Sequence, residues 1–151
     1  MAHRSFSLTR VALGIAALGV SAVLSAQAAG QPKAACTSDA HTLCLNNGRF
    51  AVTATFQQTP DGPSSPATAV PLTDDTGYFW FFDPDNIELI GKVLNGCAIN
   101  GNYWFFGAGL TNVGVSILVQ DLQSGTMKTY PNAVGTAFAP VQDTSAFHTC
   151  P

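Results

Sequence analysis

Residues 49–57 alternate without a break: Phe50, Val52, Ala54 and Phe56 fall on one side, Arg49, Ala51, Thr53, Thr55 and Gln57 on the other. A period of two with one apolar face predicts a strand laid over a core. The run 77–82 is denser, with five consecutive aromatic residues that put Tyr78, Trp80 and Phe82 on one face and Phe79 and Phe81 on the other. Both faces are large and apolar, so one face is assigned to the core and the other to a covering loop, a neighbouring strand or a partner. Residues 87–94 resume the alternation with Ile87, Leu89, Gly91 and Val93 on the more apolar side, and 113–119 repeat it with Val113, Val115, Ile117 and Val119. Further short strands are predicted at 69–72, 103–106, 126–130 and 146–149.

The punctuation between these runs is turn chemistry. Pro60, Gly62, Pro63 and Pro66 make 59–68 a surface loop, because proline cannot donate to a ladder. Asn95-Gly96, Asn100-Gly101 and Ser124-Gly125 read as tight turns. No segment beyond residue 28 has the period of an ordinary amphipathic helix. About seven strands separated by turns predict an all-β fold, an antiparallel β-sandwich with immunoglobulin-like topology; a small closed β-barrel is the alternative.

The first residues follow another logic. His3, Arg4 and Arg10 precede a 14-residue apolar run at 11–24, and Ala26-Gln27-Ala28 supplies a small-x-small cleavage pattern. The run is shorter than the roughly 20 residues that span a bilayer, so 1–28 reads as a signal peptide cut after Ala28. That predicts a secreted or periplasmic protein with an irregular leader at 29–43 and a single β domain at 44–151. After cleavage, four cations face nine acids, a formal charge of −5. Four separated cations make no phosphate-tracking surface, which excludes nucleic acid, and they do not suit an anionic membrane surface. The four cysteines all lie beyond the signal peptide, an even count that suits two disulfides in an exported chain. Of the three connectivities, Cys36–Cys44 with Cys97–Cys150 is preferred, since the second bridge would fasten the C-terminal stretch to the middle of the domain. The spacing does not offer the close thiolate pairs of a zinc site.

Candidate chemistry is sparse. His41 and His148 lie beside cysteines, and Ser116, Ser124 and Ser145 lack the context of a nucleophile, so a small hydrolase is the minor reading. The acids Asp74, Asp75, Asp83, Asp85 and Glu88 flank both ends of the aromatic strand, whose length separates those ends by about 17–20 Å. That distance is too great for one ion, and for the paired carboxylates of glycoside hydrolysis. A calcium site would have to form at Asp83, Asp85 and Asn86 with another loop; no cofactor is otherwise indicated. The aromatic residues themselves are the better candidates: Phe79, Phe81, Tyr103 and Trp104 could form a platform for an extracellular protein or polysaccharide.

The segments DTGYFWFFDPDNIEL (75–89), VLNGC followed by NGNYWFF (93–106), GLTNVGVSILVQD (109–121) and QDTSAF (142–147), with Cys44-Leu45 before them, carry a resemblance. The chain resembles a recurrent, uncharacterised bacterial β-sandwich module of secreted proteins, often C-terminal in larger exported chains. The resemblance implies a non-catalytic accessory or free-standing binding module and supplies no catalytic or ligand residues. Self-assembly through an exposed strand edge is the structural alternative.

Overall fold

The structure is a computed structural model and describes residues 34–151. The signal-peptide expectation and the first part of the leader lie outside the described residues. Strand β1 (Thr42–Leu45) begins two residues before the expected domain boundary and pairs with β2 (Phe50–Gln57). Then follow β3 (Ser65–Pro66), β4 (Thr68–Pro71), β5 (Thr76–Trp80) and β6 (Leu89–Gly96). A single helical turn, α1 (Cys97–Asn100), leads to β7 (Asn102–Gly109), β8 (Gly114–Asp121), β9 (Met127–Asn132) and β10 (Val141–Phe147).

The strands form two antiparallel sheets. The first runs β1-β2-β8-β9, with β3 added on β2; the second runs β10-β7-β6-β5-β4. Alternation sets the registry: β2 and β8 pair from Phe50↔Asp121 to Gln57↔Gly114, so Val52 meets Val119 and Ala54 meets Ile117 on the buried side. A one-residue slip would turn this whole set to solvent. The second sheet answers with Phe79, Leu89, Val93, Phe105 and Phe147. Between the sheets, the Phe50 ring sits 5.0 Å from Tyr103 and 5.2 Å from Phe147, and Phe105 stacks on Tyr130 at 4.7 Å. Each such side chain contributes about 1.5–3 kcal/mol by burial.

This is a two-layer β-sandwich architecture. In an immunoglobulin sheet of order ABED, the second strand to return lies beside B. Here the first strand to return, β8, takes that position beside β2.

Three local expectations need correcting. Asn95 and Gly96 are ladder residues of β6, paired with Tyr103 and Asn102; the reversal is made by α1 and Gly101, whose φ of 74° suits glycine. Pro66 joins a ladder after all, because β3 is a two-residue edge piece where a missing N–H is tolerated. Phe81 and Phe82 leave the aromatic strand, which stops at Trp80.

The two disulfides are Cys36–Cys44 and Cys97–Cys150. Next to the second, Arg49 is buried. Its Nε and one Nη donate to the Asp121 carboxylate at 3.1 and 2.7 Å, and the other Nη donates to Tyr103 Oη at 2.9 Å. Thr149 joins through its carbonyl oxygen and its hydroxyl. Burial pushes the Asp121 carboxyl up, but hydrogen bonds from Arg49, Thr149 and the Gln123 amide outweigh it and hold the group below its usual range. A second link crosses between the sheets, where Asp143 of β10 accepts from Lys128 (2.8 Å) and Tyr130 (2.9 Å) of β9.

Candidate functional site

With one face of each sheet spent on the core, the outward positions of the second sheet carry what is left of the aromatic residues. Registry arranges them in rows across the strands. Tyr78 of β5 lies beside Ile90 of β6 and Ile90 beside Ala108 of β7; two residues along, Thr76, Lys92 and Phe106 align in the same way, with Gln142 of β10 next to Phe106. These residues, Tyr78 apart, line a shallow groove of about 380 Å³ together with Gly91, Gly107, Pro140 and Val141. Its walls are mostly carbon, and Ile90 is 43% exposed. A concave surface with carbon walls and a few polar groups is a candidate binding site.

Beyond the Phe106 wall lies Trp104. Its indole covers Gly96 so closely that a β-carbon at that position would stand well inside van der Waals contact with Trp104 Cε2. The indole N–H donates to Asn100 Oδ1 at 2.7 Å, and the ring meets Phe106 edge-on with centroids 6.3 Å apart. Glycine in β6 and the helical turn α1 together lay the indole along the sheet and fix it there. The Lys92 ammonium stands 5.2 Å from the Phe106 ring centre, a cation–π contact.

Of the four aromatic candidates read from the sequence, this face holds Trp104. Phe79, Phe81 and Tyr103 are core residues, 1%, 7% and 5% exposed, and that expectation is corrected. The reason is parity: Phe79 shares the inward side of β5 with Gly77, and Tyr103 turns its hydroxyl to Arg49. Phe81 stacks on Phe56 at 4.5 Å. The residues missed are Tyr78, Trp80, Ile90 and Phe106. A signal was available in β5, since Tyr and Trp carry a polar group that favours the wet side whereas Phe79 has none to satisfy.

The acidic corner is organised by turn hydrogen bonds. Asp83 closes a turn, its carboxylate accepting from the Asp85 amide at 2.9 Å and its carbonyl from the Asn86 amide at 3.0 Å. The Asn86 side chain donates to buried Glu88 at 2.6 Å. Among the described residues no three His, Cys, Asp or Glu side chains converge as metal ligands. The two histidines among the described residues are exposed: His41 Nδ1 meets the Ala67 carbonyl while its backbone amide donates to Asp39, and His148 Nδ1 meets the Asn102 side chain. A second depression of about 410 Å³, beside β2 and β8, is lined by Phe56, Gln57, Ser116 and Asn132; Gln57 is committed to the carbonyls of Pro60 and Gly62. No helix among the described residues is long and apolar enough to cross a membrane.

Compared with protein-family models, with curated proteins and with solved structures, the chain has no match.

Proposed function

We propose that the protein is an exported, non-catalytic binding module that presents the outer face of its second sheet to an extracellular macromolecule. The observation that carries this reading is the organised aromatic surface: a groove between Ile90 and Phe106, continued by an indole already fixed in place. Preorganisation of this kind lowers the ordering cost of binding. The motifs that resemble the exported module include β5, the end of β6 and most of β7, strands that build this face, and extend to β8 and β10. Read as a sandwich, the domain offers an outer surface; a barrel would offer a lumen.

Assembly through strand edges fits less well. The edge strand β4 is four residues long and ends in Pro71, β9 contains Pro131, and β10 is interrupted by a bulge between Asp143 and Phe147. Short edges, prolines and bulges are devices that block edge-to-edge pairing.

The test is retention of the purified exported protein on isolated cell-envelope material. A Tyr78→Ser/Ile90→Ser/Phe106→Ser variant with unchanged thermal stability should lose retention. Retention that survives these substitutions refutes the assignment of the face.

A further inference from the structure

We propose that the ligand of this face is a neutral polysaccharide, lying across β5, β6, β7 and β10 with Trp104 as a stacking plate beside the groove. The inference rests on the binding-face reading above and narrows it to one chemistry.

Three observations carry it. First, the groove sets apolar walls against a polar rim. The side chains of Thr76 and Gln142 at the groove, and of Tyr78 beside Ile90 next to it, make no hydrogen bond within the described protein, and Lys92 makes only its contact with the Phe106 ring. A rim of uncommitted donors and acceptors around carbon surface matches a ligand whose C–H faces alternate with hydroxyl groups. Second, the Trp104 indole is pinned by Asn100 and backed by Gly96, so it offers a ring face whose orientation does not change on binding. A ring face with its negative quadrupole attracts the C–H groups of a sugar ring.

Third, charge selects against the other occupants. Among the described residues, Lys92 is the one ionic side chain at the outward positions of β5, β6 and β7. A polyanion would find a single cation, and a cationic partner no carboxylate. A second copy of this chain packed face to face about a twofold axis would bring Lys92 toward its own counterpart in a desolvated interface, which is repulsive. A neutral ligand meets neither difficulty. Strand spacing gives the groove a span of about 14 Å from β5 to β10, enough to run along several successive faces of a chain ligand.

The experiment is affinity electrophoresis of the full exported protein through gels containing xylan, glucomannan or hydroxyethylcellulose, with alginate as the charged control, and pull-down on cellulose and chitin. Wild type should be retarded or retained by at least one neutral polymer. Affinity should fall about thirtyfold in Phe106→Ala and in Trp104→Ala, the loss typical of a central aromatic anchor. Gln142→Ala, a milder rim change, should weaken binding, and Leu110→Ser, at an exposed position off the face, should not. In parallel, a photo-crosslinking amino acid at Gln142 is irradiated in the presence of cell envelopes. Binding to neutral polymers that is insensitive to these face substitutions, or binding to alginate alone, overturns the proposal. No polymer binding with a crosslink to an envelope protein or to a second copy also overturns it, while leaving the face as the binding surface. Neither polymer binding nor any crosslink overturns both the ligand and the face.

Discussion

Replacing Arg49 by methionine isolates the buried charge that joins the two sheets near the Cys97–Cys150 bridge. The Arg49 and Asp121 side chains are 8% and 0% exposed, and the substitution removes two hydrogen bonds to the carboxylate, one to Tyr103 and two to Thr149. Asp121 would keep only Thr149 and the Gln123 amide as donors, inside a core. Breaking such a pair from one side costs about 3–5 kcal/mol, a large part of the roughly 5–15 kcal/mol that holds a domain folded. Urea unfolding followed by the fluorescence of Trp80 and Trp104 should show the midpoint falling by about 2–3 M, for an m value near 1.5 kcal/mol/M.

The pH dependence gives the reasoning a second, independent reading. Asp121 titrates below its usual range in the fold, so the stability it contributes is present above the unfolded value of about 3.9 and is lost as pH falls through its lower folded value. In Arg49→Met, burial acts without the guanidinium and raises that value. The deficit against wild type should therefore narrow between pH 7 and pH 3. The double variant Arg49→Met/Asp121→Leu, which leaves no charge behind, should regain most of the loss. A single-variant cost below 1 kcal/mol, or a deficit that does not change with pH, refutes the account.

The remaining predictions test other parts of the structure. Gly96→Ala should force the Trp104 indole off the sheet, with a red-shifted emission and a loss of about 1–3 kcal/mol; unchanged emission and melting temperature would contradict the packing. Removing the Cys97–Cys150 bridge as the double serine variant should lower stability by up to about 4 kcal/mol, given its separation of 53 residues, measurable by calorimetry against wild type. Tyr130 is pushed far above the ordinary phenol value by burial and by the Asp143 carboxylate beside it. Its contribution is thus complete below about pH 10 and declines as pH rises toward its folded value. Alkaline spectrophotometric titration should show a phenolate step that coincides with unfolding, and Tyr130→Phe should reduce that step by one tyrosine.

How much of this could be read from residues alone varied with range. β2 and β8 announced themselves, because strict alternation in 50–57 and 113–119 leaves one way to bury Val52, Ala54, Ile117 and Val119. The aromatic strand was legible as a strand but its inside was not: with large rings on both faces of 77–82, alternation alone assigns no side. Asn95-Gly96 misled for a definite reason, since a glycine that suits a turn also suits a ladder position beneath an indole. Glu88, placed with the wet acids by its neighbours, is buried and held by Asn86. The Arg49–Asp121 pair spans 72 residues, and no local pattern marks it. The groove likewise depends on which rows register brings together, which is a property of pairing across β5, β6, β7 and β10.

The Arg49 guanidinium also binds Thr149, 100 residues further along. On a chain synthesised at about 5–20 residues per second, the cation exists for about 5–20 s before that acceptor does. Until then the centre of the domain lacks one of its counterparts, and its closure is governed by the arrival of distant residues. Vectorial emergence from N- to C-terminus would therefore make completion of this buried cluster a late event in folding.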